Sequence, residues 1–376
     1  MANRVPRVFP PGALLEEELV ERGWSQVDFA EILGRPVKMV NEVIAGKRAI
    51  TPETAQGFAK ALGTSAEFWL NLENQYRLSQ TPAVDDAVER RAAIYNIAPI
   101  KEMQRRGWLP LTKSINELDQ AICGFFGVGK TADIEELACA AKKSTSYAQP
   151  ATPSQRAWVR YVRKLGPSVN AKPFSDQRWR DGLDQLGMLL NSPEDVRRVP
   201  AILAESGIRL VIVEQLEGSK TDGVCLWLDE KSPVIGLTLR FDRIDSFWFA
   251  LIHEIDHVFN RDGMENPIVD IDLVGDQAIP TKDKPPEEQR ADAFAADFLI
   301  AAKELSGFIA RVSPLYSKER IRGFAARLKV HPGLVVGQLQ HLKEIKYSHS
   351  REMLEKVRTQ LTGSALTDGW GQQASV

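Results

Sequence analysis

The chain has 376 residues, of which 43% are hydrophobic and 26% charged, with 48 basic and 50 acidic side chains and a formal net charge of −2. That length implies two or three domains with sizeable cores, and the composition excludes wholesale disorder and collagen-like structure. The longest nearly apolar stretch, Phe247 to Ile252, falls far short of the ~20 residues a membrane helix needs, and the start MANRVPRVFPPG lacks the apolar centre of a signal peptide, so the expected location is the cytoplasm with no membrane partner.

The first eighty residues read as short, well-punctuated helices. Pro11–Arg22 stops at Gly23; Ser25 caps Gln26–Leu33, which stops at Gly34; Pro36–Ala45 stops at Gly46; Thr51 caps Pro52–Leu62, which stops at Gly63. A fifth helix runs from about Ser65 to Tyr76, and Gln80–Val84 reads as a linker. Helical periodicity resumes from about residue 86 to 195, interrupted by loops such as Gln149–Pro153 and Gly166–Pro173. Near Gly207 the pattern changes: Ile208–Val213, Val224–Leu228 and Val234–Leu239 are short and β-branched, as expected of a small antiparallel sheet. A helix from Asp245 to about Phe259 follows, then a long acidic loop, Arg261–Lys284, and a helix from Pro286 to about Ile300. Helical segments near Lys318–Leu328 and Pro332–Leu342, an amphipathic helix near Arg351–Leu361 and a polar tail holding Trp370 complete the chain. No period of 20–50 residues repeats, so solenoids and propellers are excluded. The fold class is therefore mainly α with a small α+β domain. Residues 1–80 form a helix-turn-helix bundle, 81–195 a helical middle or linker region, 196–345 the α+β domain with a short antiparallel sheet, and 346–376 a C-terminal helix and polar tail.

Within the first part, the spacing of SQVDFAEILGRPVKMVNEVIAGKR places Phe29, Ile32, Val40 and Val43 inside a tight helix pair and leaves Gln26, Arg35, Lys38, Asn41, Lys47 and Arg48 outside. Residues 1–80 hold nine basic and ten acidic side chains, yet Arg35–Arg48 holds four basic against one acidic, Glu42. A major-groove helix needs such a local positive face. The segment Pro11–Tyr76, above all GKRAITPETAQGFAKALGTSAEFWLNLENQYRL, resembles the XRE-type domain of HigA-family antitoxins, whose members dimerise and repress their own operons. That resemblance makes Pro36–Ala45 the recognition helix, puts Lys38 and Asn41 at base edges and Gln26, Lys47 and Arg48 on phosphates, and implies a homodimer on a double-stranded operator. Val37 stands where the family often has a polar residue.

The second signal is His253-Glu254-Ile255-Asp256-His257. Histidines at i and i+4 share a helix face and can ligate one ion, while the glutamate beside the first can reach a water on the metal. A bland reading makes them packed histidines and a surface glutamate, but Trp248, Leu251, Ile252 and Ile255 give the helix the buried character such a site needs. A catalytic zinc site takes a third protein ligand and leaves a fourth position open. Glu287 and Glu288 both open the next helix, and Glu288 has Asp292 one turn on, placed to accept a hydrogen bond from a ligand imidazole. Cys123, Cys139 and Cys225 are far apart and odd in number, which fits packing roles and excludes a disulfide framework or a cysteine zinc site.

From about Ala204 to His341 the chain resembles the ImmA/IrrE metallopeptidases, through FWFALIHEIDH at Phe247–His257 and EQRADAFAADFL at Glu288–Leu299. GVCLWLDEKSPVIGLTL and HPGLVVGQLQH are similar to segments of the variant that fuses a HigA-like domain to the peptidase. The likeness implies a zincin-like α+β domain, Zn²⁺ held by His253, His257 and Glu288 with Asp292 behind, and Glu254 as general base. Asp256 departs from the small residue usual there. His331, His341 and Tyr316 are each candidates for a second electrophile, with structural roles the simpler account. Two functions follow as expectations: a DNA-binding regulator with a zinc endopeptidase that cuts a repressor, a toxin or itself, or a HigA-like antitoxin that binds DNA and a toxin and uses zinc for structure or sensing. The substrate strand is expected along the sheet of Val224–Leu228 and Val234–Leu239.

Overall fold

The computed structural model describes residues 9–82, 86–134 and 151–370. The described residues divide into two compact units at Val88–Glu89. Cys139 and the boundaries at Val84 and Gln149 lie outside the described residues.

The first unit is five helices: α1 Pro11–Arg22, α2 Gln26–Leu33, α3 Val37–Ile44, α4 Pro52–Leu62 and α5 Ala66–Gln80. Local chemistry sets their ends. Ser25 and Asp28 form a reciprocal cap, with Ser25 Oγ accepting the Asp28 amide at 3.1 Å and Asp28 Oδ2 accepting the Ser25 amide at 2.7 Å. Gly23, Gly34 and Gly63 end their helices in the left-handed conformation. Leu15, Phe29, Val40, Val43, Phe58 and Trp69 make the core. Ile32 is not part of it: Phe29 and Leu33, one turn apart, take the inward face of α2 and leave Ile32 50% exposed. Gly12 lets α1 lie directly on the end of α3, where a β-carbon would collide with the carbonyls of Val43 and Ile44. The fifth helix continues to Gln80, so the first residue expected in the linker is helical.

The second unit is built on a sheet of β1 Arg209–Ile212, β2 Thr221–Trp227, β3 Pro233–Leu237, β4 Ile268–Ile271 and β5 Leu366–Thr367, in the order β4-β2-β3-β1-β5. It is mixed, which corrects the antiparallel expectation: β1 runs parallel to both β3 and β5, while β2 pairs antiparallel with β3 and β4. The reason is burial on both faces. Leu210, Ile212, Cys225, Trp227, Ile235 and Leu237 pack against Trp248, Leu251, Ile252 and Ile255 of the helix Ile244–Phe259. Val211, Val213, Val224, Leu226 and Val234 pack on the other face against Trp158 and Val162 of the helix Pro153–Leu165 and against Ile94–Phe125. Strands covered on both faces read as continuous apolar runs, which hide direction and pairing. Of the helices expected as a linker region, those between Ile94 and Leu165 form one layer of this sandwich, while Asp176–Gly187 packs into the core on the opposite face; Trp158 Nε1 donates to Val213 O at 2.9 Å.

Two strands come from segments expected to be irregular. β4 lies in the acidic loop Arg261–Lys284 and β5 in the polar tail. Beyond β5, the Trp370 ring lies 5.3 Å from the Arg106 guanidinium. The amphipathic helix expected at Arg351–Leu361 is instead a 3₁₀ turn, Arg351–Met353, and a short helix, Arg358–Thr362, because Asp242 Oδ1 accepts the amides of Val357 at 3.1 Å and Arg358 at 2.7 Å and restarts the helix there. A helix Ala302–Val312 stands where the sequence reading had none. No helix among the described residues is long and apolar enough to cross a membrane.

Candidate metal centre and nucleic-acid face

The helix Ile244–Phe259 is buried around nearly its whole circumference between sheet and helix Pro286–Leu299. His253 and His257, one turn apart, point out of its side toward Glu288. The two Nε2 atoms are 3.2 Å apart; His253 Nε2 is 3.1 Å from Glu288 Oε2, and His257 Nε2 is 3.5 Å from Glu288 Oε1. Tetrahedral zinc with bonds of ~2.0–2.1 Å holds neighbouring donors ~3.3–3.4 Å apart, so this spacing fits one such ion. Glu288 is the glutamate turned inward.

Each imidazole is set from behind. His257 Nδ1 hydrogen-bonds Asp262 Oδ2 at 3.0 Å. His253 Nδ1 stands 3.0 Å from Asp292 Oδ1, in contact though outside hydrogen-bond alignment. Asp292 is fixed by Thr281 Oγ1 at 2.7 Å and by the buried Lys284 Nζ at 2.9 Å. Asp256 holds Arg290 Nε at 2.8 Å, and Arg290 also reaches Asp262; the pair ties the two helices together.

Asp262 and Asp270 are the residues the sequence reading missed. Asp270, on β4, is buried, and its Oδ2 lies 3.5 Å from His253 Nε2, so four donors, from His253, His257, Asp270 and Glu288, converge. Both sit in an acidic loop with no ligand spacing, and only the pairing of Asp270 with Gly223 brings it to the histidines.

The electrostatics follow from this convergence. Burial alone would push His253 down, but Asp270, Asp292 and Glu288 hold it well above the usual histidine range. Burial likewise opposes charge on His257, yet the bonds to Asp262 and Glu288 raise it to about 9. Glu288 would be raised by burial, and the two histidines keep it well below the usual carboxylate range. The cluster thus sets buried carboxylates around two imidazoles, a donor set that could hold a divalent cation. Glu254 is different: fully buried with neither oxygen hydrogen-bonded, it is pushed well up by burial and by the charge of Asp270. Gly223 makes room for it, since a β-carbon there would collide with Glu254 Oε1.

Of the candidate electrophiles, His331 accepts the Gly333 amide at 3.1 Å and contacts Glu355, and Tyr316 donates to Glu344 at 2.5 Å, so both are structural. His341 faces Phe249 across 6.0 Å between ring centroids, in a small cavity beside the centre lined also by Leu273, Leu299 and Gln338.

On the first unit, Lys38, Asn41, Lys47 and Arg48 are exposed, as is Arg35, while Gln26 is half-buried. Their charges are partly engaged: Arg35 pairs with Glu53, and Glu42 lies 3.9 Å from Lys38 and 3.3 Å from Arg48.

Comparison with known proteins places the first unit. The family described as helix-turn-helix matches residues 15–69. The chain is 32% identical over 94 residues to the "Uncharacterized HTH-type transcriptional regulator YddM" of Escherichia coli (strain K12), covering 25% of this chain and 96% of that one. It is 33% identical over 76 residues to "Virulence-associated protein I" of Dichelobacter nodosus, covering 20% of this chain and 70% of the other. Among solved structures, the Pseudomonas aeruginosa antitoxin HigA with the higBA promoter is 32% identical over 20% of this chain and 82% of its own, with a TM-score of 0.19. A HigA-family antidote protein from Coxiella burnetii is 29% identical over 29% of this chain and 99% of its own, also at 0.19. The chain belongs, through its N-terminal unit, to the helix-turn-helix family.

Proposed function

We propose that the chain is a DNA-binding transcriptional regulator whose second unit is a zinc-dependent endopeptidase acting on a regulatory protein: a repressor, a toxin or the chain itself. The observation that carries the peptidase half is the convergence of His253, His257 and Glu288 at zinc spacing with Glu254 buried beside them. His253, His257 and Glu288 would hold the ion, with Asp292 and Asp262 orienting the rings. Bound there, zinc supplies Lewis acidity that acidifies water and polarises a peptide carbonyl. Glu254 takes the water's proton on its carboxylate and returns it to the leaving amine. Gly223 leaves the space that this carboxyl occupies.

The DNA half rests on the family match and on the exposed α3 face. Lys38 and Asn41 read base edges, Lys47, Arg48, Arg35 and Gln26 contact phosphates, and a homodimer places two copies of α3 about one helical turn, ~10 bp, apart on an operator. The substrate does not add to β2 or β3, whose edges are taken by β4 and β1; the outer edge of β4 is the strand edge next to the centre.

A second reading has its own observation. Asp270 as a fourth donor beside His253, His257 and Glu288 gives the closed donor set of a structural site, and the chain would then be an antitoxin-like protein binding DNA and a toxin. Glu254→Gln separates the two. It keeps zinc, fold and DNA binding, removes hydrolysis, and should trap an uncleaved partner from lysate; if wild type and variant leave identical protein fragments in cells, the peptidase half falls.

A further inference from the structure

Asp270 is placed by an unusual route. β4 lies against β2 with Gly223 opposite Asp270 and an irregular step between Thr221 and Gly223. Because position 223 has no side chain, the space beside Asp270 is filled by Glu254 and His253. The Asp270 side chain is nearly fully buried, and its Oδ2 has no hydrogen-bond partner although it points at the histidine cluster. A buried carboxylate without a donor is costly, and a cation is what this one lacks. Its 3.5 Å from His253 Nε2 matches the donor spacing of the other three residues.

The two ends of β4 are held unequally. Downstream, Asp272 pairs with Arg240 at 3.0 Å and Lys220 at 3.2 Å, its amide donates to Lys220 O, and the Leu273 amide donates to Asp222 Oδ2 at 2.7 Å. Upstream, Ile268 and Val269 pair with Cys225 and Val224 of β2 but are only half-buried, and the outer edge of β4 has no strand beside it in the sheet. The downstream end is tied by largely buried side chains, and the end that leads into Asp270 is held by strand pairing along a partly exposed edge.

We infer that Asp270 is a fourth, exchangeable metal ligand: the folded chain holds a closed His₂-Glu-Asp centre, and the upstream half of β4 must move, withdrawing Asp270, before a peptide carbonyl and water can enter. This rests on the metal reading above and deepens it into a latent peptidase. It reconciles a closed donor set with a retained Glu254. The exchange balances: one carboxylate oxygen leaves the ion, one water or carbonyl oxygen replaces it, and no covalent bond changes.

The test uses full-length protein loaded with cobalt(II) in place of zinc, comparing wild type with Asp270→Ala and the isosteric Asp270→Asn. Acetohydroxamate probes an open position. The expected result is that wild-type protein gives the intense visible bands of four-coordinate cobalt and resists hydroxamate. Both variants should keep cobalt with affinity reduced about 10- to 100-fold, show an altered spectrum and bind hydroxamate at least about tenfold tighter. Hydrolysis of an unstructured protein should rise in the variants, and Glu254→Gln placed in the same background should remove it. Identical spectra and hydroxamate binding in all three proteins overturn the inference while leaving the metal reading intact. Complete loss of cobalt from both variants overturns exchangeability and makes Asp270 a permanent structural ligand. Failure of wild-type protein to take up cobalt overturns both.

Discussion

Asp222 shows what a buried charge requires in this molecule. Arg240 grips it with Nε on Oδ1 and Nη2 on Oδ2, both at 2.9 Å, and the Leu273 amide adds a third bond. Burial still outweighs these partners and raises its pKa from 3.8 to about 6. The folded state thus keeps a proton that the unfolded chain has lost between those values, so this group's contribution to stability is highest below 3.8, declines as pH rises to about 6, and is constant above. Arg240→Ala removes the partner of the ionised form. At pH 8 it should lower the unfolding free energy by about 3–5 kcal/mol, and at pH 5, where Asp222 is protonated in both proteins, the deficit should shrink. Urea titrations at the two pH values check this, and an equal deficit at both would show that the lost packing of Arg240 matters and the charge does not. On the DNA face, Lys47 has no ion pair among the described residues, unlike its basic neighbours. Lys47→Ala should therefore weaken binding to all duplexes alike and lower the slope of log K against log salt by about 0.9, whereas Lys38→Ala should relax sequence preference. Titration of fluorescent duplexes over a salt series separates the two effects.

At the scale of elements, close approach explains more than side-chain type. Gly12 allows α1 to touch the backbone end of α3, the helix that would enter the groove. Gly12→Val should push α1 away, lower the stability of the N-terminal unit by about 1–3 kcal/mol, and reduce DNA affinity while zinc content stays unchanged. Circular dichroism melting and metal analysis of one preparation test both halves, and full DNA affinity in the variant would mean the α1–α3 contact does not position α3. The first four helices were legible because their ends carry local signals, from Ser25 with Asp28 to Gly34 and Gly63, whereas α5, with no glycine at its end, runs past Tyr76 to Gln80. His253 and His257 were legible for the same reason, since one-turn spacing on a helix is local; Glu288 was not separable from Glu287 by spacing and was favoured through the family resemblance. Asp270 was not legible, because its proximity to His253 depends on β4 pairing with β2 some 45 residues upstream, and Ile268–Ile271, although β-branched, is a four-residue run inside a polar loop whose partner the sequence does not name. The mixed sheet was hidden likewise, since Val211, Val224 and Val234 look alike whichever way their strands run. Ile32 was misplaced by one helical position, a slip that only the competing inward residue Leu33 reveals.

At the scale of the whole molecule, the cores of the two units share no residue: Phe29, Phe58 and Trp69 centre one, Trp158, Trp248 and the sheet the other. Ligands that bind a folded state stabilise only the cooperative unit that carries their site, by RT ln(1 + [L]/Kd), about 2.7 kcal/mol at a hundredfold excess over Kd. If each core is its own cooperative unit, calorimetry of the intact chain should resolve two transitions with different ligand responses. Zinc should raise, and a chelator lower, the transition of the unit holding His253, His257 and Glu288, leaving the helix-turn-helix transition in place. An operator duplex should do the reverse. A chelator that moves both transitions by the same amount would show that metal occupancy is transmitted to the DNA-binding unit, and the second unit would then act on transcription by sensing metal as well as by any hydrolysis. Glu254→Gln gives the control, because removing its charge leaves every proposed ligand in place: it should not alter the chelator-sensitive shift, whereas Glu288→Ala should abolish it.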